Sequence, residues 1–364
     1  MHAPLILAIH PRPRSTEAAL FQGERELWRD GRQHALQDLH RFPSVSAQLD
    51  FRLRSLQDLL LAQETDPAKL DGVVGTGGLL RPIPGGTYRV TPAMLEELES
   101  CRYGCHVSNL GAPLARRMAD LAGGRPAFVV DPLVVDELLP EARLSGIPEI
   151  ERKSLFHALS QRAAGRHAAR ALGRPYEECN LVVAHLGFGI SVGAHHRGRV
   201  EEVNNPLEGE GPFSGERSGG LPCGELVRLA YSGRYDFEEM MDRITRKGGL
   251  LAHLGTDDPH VLDSRIRGGD EKARLVVEAL AYQVAKEIAA RGAVLRGVVD
   301  GVVLTGHLAR WDTLVEGIRR WADWVAPFQV FPGENELAAL AEGALRVLLG
   351  QEEPRIYEEE TGGR

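Results

Sequence analysis

Cysteine is scarce in this sequence. Four occur among 364 residues, Cys101, Cys105, Cys179 and Cys223, and none forms a C-x-x-C pair. That argues against a disulfide-stapled scaffold, and the pair Cys101/Cys105 alone falls short of the four ligands a structural zinc takes. The spacing of Cys101 and Cys105 would bring two thiols together on one helix, but no secretory leader is legible and all four are expected reduced in the cytosol. Long apolar runs are missing too. No stretch approaches the roughly 20 residues that cross a bilayer, so no membrane partner is expected. There is no basic stripe, and the formal net charge is −8. Nucleic acid is held largely by Lys and Arg, so a small-molecule partner is expected instead. What the sequence does have is ordinary globular composition, 43% hydrophobic and 26% charged, with 41 glycines for tight turns. The length suits two domains of roughly 100 to 200 residues.

The chain order repeats. "LILAIH" at 5–10 matches "LVVAHL" at 181–186, each an apolar run of strand length ending in a turn. Each is followed by two further strand patterns separated by a glycine turn, at Gln22-Gly23 and Arg197-Gly198. "LDGVVGTGGLL" at 70–80 matches "VDGVVLTGHLA" at 299–309, and "RPAFVVDPLVVDEL" parallels "APFQVFPGENEL". Helical periodicity separates these strands at Ser46–Leu61, at "SNLGAPLARRMADLAG" with Ser108 or Asn109 as cap, from Asp270, and from Trp311 to Trp324. Short hairpins require antiparallel strands, and helical crossovers require parallel ones. The expectation is a duplicated α/β fold, each half a mixed sheet flanked by helices, with a cleft between the halves. The polar tail "EEPRIYEEETGGR" is expected to be frayed.

Candidate chemistry lies at the strand ends. Gly187 and Gly189 in "HLGFGIS" let backbone N–H groups approach a phosphate, with His185 beside them; the same glycines also permit a plain tight hairpin. Asp131, fixed before Pro132 at the end of a strand, can hold Mg²⁺ or simply form a turn. The glycine-rich loop 204–222 carries Arg217, suited to a transferring phosphoryl group or to plain solvent exposure.

The segments "RPIPGGTYRV", "YGCHVSNLGA", "FVVDPLVVDEL", "SGIPEIERKSLFHALSQRAA", "NLVVAHLGFGISVGAHHRGRV", "VNNPLEGEGPFSGERSGGLP" and "ALAYQVAKEIAA" closely resemble the butyrate kinases, within the acetate kinase group of the actin-like ATPase (ribonuclease H-like) superfamily. The resemblance runs from about residue 5 to about 350. It implies ATP-dependent phosphorylation of a short-chain carboxylate to an acyl phosphate, with Mg²⁺, in a cytoplasmic homodimer or higher homo-oligomer. It implies an N-terminal domain of residues 1–150 plus about 335–364, and a nucleotide-binding domain of residues 151–334. By resemblance Asp131, Arg217 and His185 are catalytic, His106 and Thr76 belong to the acyl pocket, and Arg12, Arg14, Ser15, Gly187, Gly189, Gly306 and Gly333 hold phosphate and nucleotide. Asp131 with Glu334 or Glu336 is implied for the metal.

One stretch departs from the family. Its first strand ends in a pattern like NPGSTSTK, and here the positions read "HPRPRSTE". Pro13 donates no N–H. Glu17 stands in place of a lysine, a reversal worth about 4 kcal/mol at 4 Å and an effective dielectric of 20 unless Arg12 and Arg14 offset it. Thr76 replaces an arginine, Phe188 a small residue and His307 a glycine. Two readings follow: an active carboxylate kinase whose arginines replace backbone donors, or a catalytically impaired relative that binds ligands or regulates.

Overall fold

Eight residues at the amino end, four of them fully buried, form β1 (Leu5–Arg12) in the computed structural model of the chain, which describes residues 3–333 and 335–362. β2 (Ser15–Gln22) returns through Pro13 and Arg14, and β3 (Arg25–Gln33) returns again through Gly23. β4 (Gly72–Gly75) and β6 (Ala127–Val130) then add parallel to β1, with β5 (Thr87–Arg89) as an antiparallel edge, in the order β3-β2-β1-β4-β6-β5. Parallel strands buried on both faces read as unbroken apolar runs, as "LILAI" and "AFVV" do. Leu7, Ile9, Val73 and Ala127 pack on helices Leu49–Ala62 and Gly111–Leu121. On the alternate face Gly72 and Val130 meet Leu348 and Gly343 of helix Glu336–Leu348.

The second sheet repeats this plan. β7 (Asn180–Leu186), β8 (Ile190–His196) and β9 (Arg199–Val203) form the antiparallel trio, and β10 (Gly301–Gly306) and β11 (Phe328–Pro332) add parallel to β7, in the order β11-β10-β7-β8-β9. Leu181, Val183 and Val303 face helix Ala158–Ala171. Val182, Ala184, Val302 and Leu304 face helices Glu271–Val294 and Asp312–Ala322. The duplication expected from the strand order is therefore present, with β5 and the helices between β9 and residue 270 as additions that it did not contain.

The chain divides into two compact units, Met1–Asp136 with Asn335–Arg364, and Glu137–Glu334. The first boundary thus falls at 136/137 rather than 150/151. Glu137 belongs to the second unit because its carboxylate meets buried Arg162 at 3.1 Å and Leu139 N–H donates to Glu201 O at 2.9 Å.

Three local expectations are corrected. Cys101 and Cys105 are joined in a disulfide, in the turn after helix Pro92–Glu99 rather than on a helix; Cys179 and Cys223 are free. The tail is anchored: Tyr357 is 1% exposed, its hydroxyl donates to buried Glu97, and Arg355 N–H donates to Thr87 O at 2.8 Å. A single ring in a polar run makes no periodic signal. Burial and the Glu97 carboxylate push the Tyr357 hydroxyl pKa well up. The cap before Gly111–Leu121 is neither Ser108 nor Asn109. His106 caps the short turn Val107–Leu110, while Asn109 ties neighbouring loops by accepting from Leu79 N–H at 2.9 Å and donating to Gly104 O at 2.9 Å.

β4 and helix Gly111–Leu121 touch backbone to backbone. A Cβ on Gly111 would lie 2.2 Å from Thr76 O, and one on Gly75 2.1 Å from Gly111 O. Alanine is the better helix former by up to about 1 kcal/mol, yet overpacking costs about 1–3 kcal/mol and a backbone neighbour cannot turn aside. Gly111→Ala is therefore expected to lower unfolding free energy by about 2 kcal/mol in urea titration, and an unchanged or raised value would contradict this packing. Thiol titration in denaturant is expected to find two reactive thiols before reduction and four after it, following the disulfide between Cys101 and Cys105; four before reduction would contradict it.

Candidate active site

The carboxyl ends of β1, β4 and β6 lie side by side, where ligands of open α/β sheets bind. They place His10, Arg12, Thr76 and Asp131 in one region of the first unit. Asp131 is 3% exposed with φ at 39°, a left-handed backbone that Asp tolerates better than most residues. Its Oδ1 accepts from Gly86 N–H at 2.7 Å and its own N–H donates to Gly86 O at 3.0 Å. Thr76 is buried, and its Oγ1 has no hydrogen-bond partner among the described residues. His106 holds Ser108 Oγ through Nδ1 at 2.7 Å; the surrounding protein and then neighbouring His10 lower its pKa.

The first turn is organised by charge. Arg12 Nε meets Glu17 at 3.0 Å and its Nη2 meets Glu336 at 3.4 Å, while His10 Nδ1 meets the same Glu336 oxygen at 2.9 Å. Glu17 is therefore neutralised by Arg12, and Arg12 is no free phosphate fork. Arg14 is exposed, and Ser15, 5% exposed, turns its Oγ to Glu17 at 3.3 Å. Beneath them lies Arg52, fully buried. It donates to Arg12 O at 3.0 Å, Pro13 O at 3.3 Å, Ser15 O at 2.7 Å, Thr16 Oγ1 at 3.1 Å and Gln48 Oε1 at 3.0 Å, with no carboxylate partner among the described residues. Burial lowers its pKa to about 10, so it stays cationic at neutral pH.

In the second unit the β7–β8 turn, 187–189, lies beside Gly306 and Gly333. Gly306 has φ at 91°, and a Cβ there would lie 2.4 Å from Leu186 O; Gly333 N–H donates to Gly306 O at 2.9 Å. Arg217 is seated on this turn, where a Cβ on Gly189 would lie 2.2 Å from its Nη1. Nη1 donates to Pro206 O at 3.2 Å, Nε has no partner, and no carboxylate pairs with it among the described residues; burial lowers its pKa. Ser214 holds both pieces, accepting from Arg217 N–H at 3.2 Å and donating to Phe188 O. His185 is 1% exposed and stacks on His157 with ring centroids 3.9 Å apart. Phe188 packs on His307 at 5.0 Å. A cavity of about 490 Å³ opens past Gly306, lined by Pro259, His260, His307, Leu308 and Arg310 among others.

The expected residues thus fall into two groups. Arg12, Arg14, Ser15, Thr76, His106, Asp131 and Glu336 belong to the first unit; His185, Gly187, Gly189, Arg217, Gly306 and Gly333 belong to the second. Glu334 lies outside the described residues. Arg52, His157 and the lining at 259–260 were not expected. Only Arg52 leaves a trace in the sequence, as a charge on the face of its helix that Leu56, Leu59 and Leu60 bury.

Among the described residues no group of three or more His, Cys, Asp or Glu could hold a metal. Mg²⁺ that arrives on phosphates needs only one or two carboxylates. Asp131 fits that role, whereas Glu336 is already held by His10 and Arg12.

The fold is that of the acetate kinase class of phosphotransferases. The solved acetate kinase of Porphyromonas gingivalis superposes with a TM-score of 0.76 at 18% identity, covering 95% of this chain and 100% of that one. A propionate kinase from Francisella tularensis gives 0.69 at 18% identity, covering 93% and 98%. The Acetokinase family profile matches residues 146–315. Probable butyrate kinases from Coprothermobacter proteolyticus and Listeria welshimeri are 49% and 47% identical, each over 97% of this chain and 99% of their own length. The chain belongs to the butyrate kinase group of the Acetokinase family.

His34, 5% exposed, bonds Thr16 Oγ1 through Nε2 at 2.8 Å, and burial and then Arg52 lower its pKa from 6.5 to about 4. Below pH 6.5 the unfolded chain binds a proton that the folded chain refuses. Stability is then lost as pH falls from 6.5 to about 4, by up to about 3 kcal/mol, and not further below that window. His34→Gln is expected to flatten the urea stability profile between pH 6.5 and 4; an unaltered slope would contradict the assignment.

Proposed function

We propose that the protein transfers the terminal phosphoryl group of ATP to the carboxylate of a short-chain fatty acid, butyrate or a close neighbour in size, giving ADP and an acyl phosphate. A carboxylate oxygen attacks the γ-phosphorus, and the bond to the β,γ-bridging oxygen breaks with its electron pair leaving on ADP. The carrying observation is Arg217: a half-buried guanidinium, held on a glycine turn by Ser214 and Pro206, with no carboxylate partner among the described residues. A cation in that setting calls for an anion, and phosphoryl transfer spreads charge over three oxygens that such a group stabilises.

The other roles follow from placement. Thr76 Oγ1, buried and without a partner, and His106 are available to the acyl carboxylate. His185, its ring fixed by stacking on His157, supplies a second polar group beside the glycine turn. The cavity past Gly306 suits the nucleoside. Mg²⁺, with Asp131 as a protein ligand, would neutralise phosphate charge. Glycines at 187, 189, 306 and 333 permit close backbone approach. The impaired reading, which rested on Pro13, Glu17, Thr76 and Phe188, finds no support among relatives 47–49% identical over 97% of this chain, and Glu17 is paired with Arg12 at 3.0 Å. A cytoplasmic homodimer or higher homo-oligomer is the assembly that goes with this reading.

Hydroxylamine trapping across acetate, propionate, butyrate, isobutyrate and benzoate is expected to yield acyl hydroxamate with the four-carbon acids; none with any acid at high enzyme concentration would overturn the reading. Arg217→Met is expected to lower kcat by about 1,000-fold. Its thermal midpoint should be unchanged or raised, because a half-buried cation without a carboxylate counter-ion among the described residues is removed. Retained kcat would contradict its role.

A further inference from the structure

We propose that Arg52 is a positioning residue for phosphoryl transfer, whose guanidinium draws the carbonyls of the first turn inward so that the turn's outer side receives a nucleotide phosphate. This deepens the carboxylate kinase reading and rests on it.

The geometry starts from a deficit. Pro13 has no N–H, so the turn has one donor fewer than a glycine-rich cradle. What remains must be aimed. Arg52 takes the carbonyls of Arg12, Pro13 and Ser15, and His34 N–H takes that of Arg14 at 2.8 Å, so four consecutive carbonyls are held by the protein. A trans peptide points its C=O and the following N–H in opposite directions, and no peptide among the described residues is cis. With Pro13 O turned toward Arg52, the Arg14 N–H points away from it, and that N–H makes no hydrogen bond among the described residues. Arg14 itself is exposed beside it.

Charge adds to aim. Arg52 is 0% exposed and pairs with no carboxylate among the described residues; its partners are carbonyls, Thr16 and Gln48. Arg12, by contrast, is already matched by Glu17 and Glu336. The positive potential left under the turn is therefore that of Arg52. An apolar side chain here would strip the Pro13 and Ser15 carbonyls of these donors, and the charge that Arg52 brings with them is costly to bury without a counter-ion, which an anion on the turn's outer side would supply.

The test compares wild type with Arg52→Gln, Arg52→Lys, Gln48→Met and Leu59→Ala. The last deletes a fully buried side chain from the same helix without touching the turn. Steady-state kcat, the KM values for MgATP and butyrate, and calorimetric Kd for MgADP are measured on folded protein. Arg52→Gln is expected to raise nucleotide KM and Kd by about tenfold with carboxylate KM within about twofold, Arg52→Lys by less, and Gln48→Met, which frees the guanidinium, by about threefold. Leu59→Ala should lose stability alone. Nucleotide Kd within about twofold of wild type in the Arg52 variants, or an equal rise in Leu59→Ala, would overturn the proposal. If Arg52→Gln does not fold, Arg52→Lys and Gln48→Met decide by the same criterion. If wild type makes no acyl phosphate, the kinase reading fails while MgADP calorimetry still decides for Arg52. Wild type that binds no MgADP overturns both.

Discussion

Two guanidinium groups, one in each unit, carry their charge inside protein without a carboxylate among the described residues. Arg217 rests on the β7–β8 glycine turn and Arg52 lies beneath the β1–β2 turn. The chain has carboxylates to spare, at a net charge of −8, and pairs most buried arginines readily, as Arg162 with Glu137 and Arg291 with Glu287. These two cations lack a carboxylate among the described residues; their partners are carbonyls and, for Arg52, the side chains of Thr16 and Gln48. An unpaired internal charge is tolerated where a ligand of opposite sign completes it. Under the proposed function a phosphate group is such a ligand for each, and Ser214 and Pro206 hold Arg217 while the first-turn carbonyls hold Arg52.

The duplicated sheet explains why the turns are equivalent. β1 and β7 hold the same place in their sheets, each flanked by an antiparallel partner on one side and a parallel strand on the other. Their carboxyl ends therefore meet similar neighbours: Thr76-Gly77 just after β4 and Thr305-Gly306 at the end of β10. Close backbone approach recurs there, Gly75 against Gly111 in one unit and Gly306 against Leu186 in the other. The units then diverge in charge. The first turn collects His10, Arg12, Glu17 and Glu336 into one cluster, while the second keeps an aromatic pair, Phe188 on His307, beside a cavity of about 490 Å³.

Strand identity, strand order and the duplication were legible because fully buried parallel strands and glycine hairpins leave unbroken apolar runs and turn residues in the sequence. The motifs around Asp131 and Arg217 single out both residues as candidates, and the structure gives Asp131 its place at a strand end and Arg217 its seat on the β7–β8 turn. The disulfide of Cys101 with Cys105 was not, since thiols four residues apart can share a helix or close a turn, and tertiary context decides. Tyr357 was hidden because one ring in an acidic tail carries no period. The ion pairs of Arg12 with Glu17 and Glu336 have no trace in the sequence pattern, since one partner comes from the adjacent strand and the other from a helix more than 300 residues away. Arg52 was overlooked because its role depends on where carbonyls point, and backbone direction is invisible in a string of residues.

Phosphorus NMR of a mixture of protein, MgATP and butyrate tests the central claim most directly, because it follows the phosphoryl group itself. The account predicts an acyl phosphate resonance that grows in step with ADP while ATP declines. ATP left intact, or consumed only to ADP and inorganic phosphate with no acyl phosphate at any time, would contradict it.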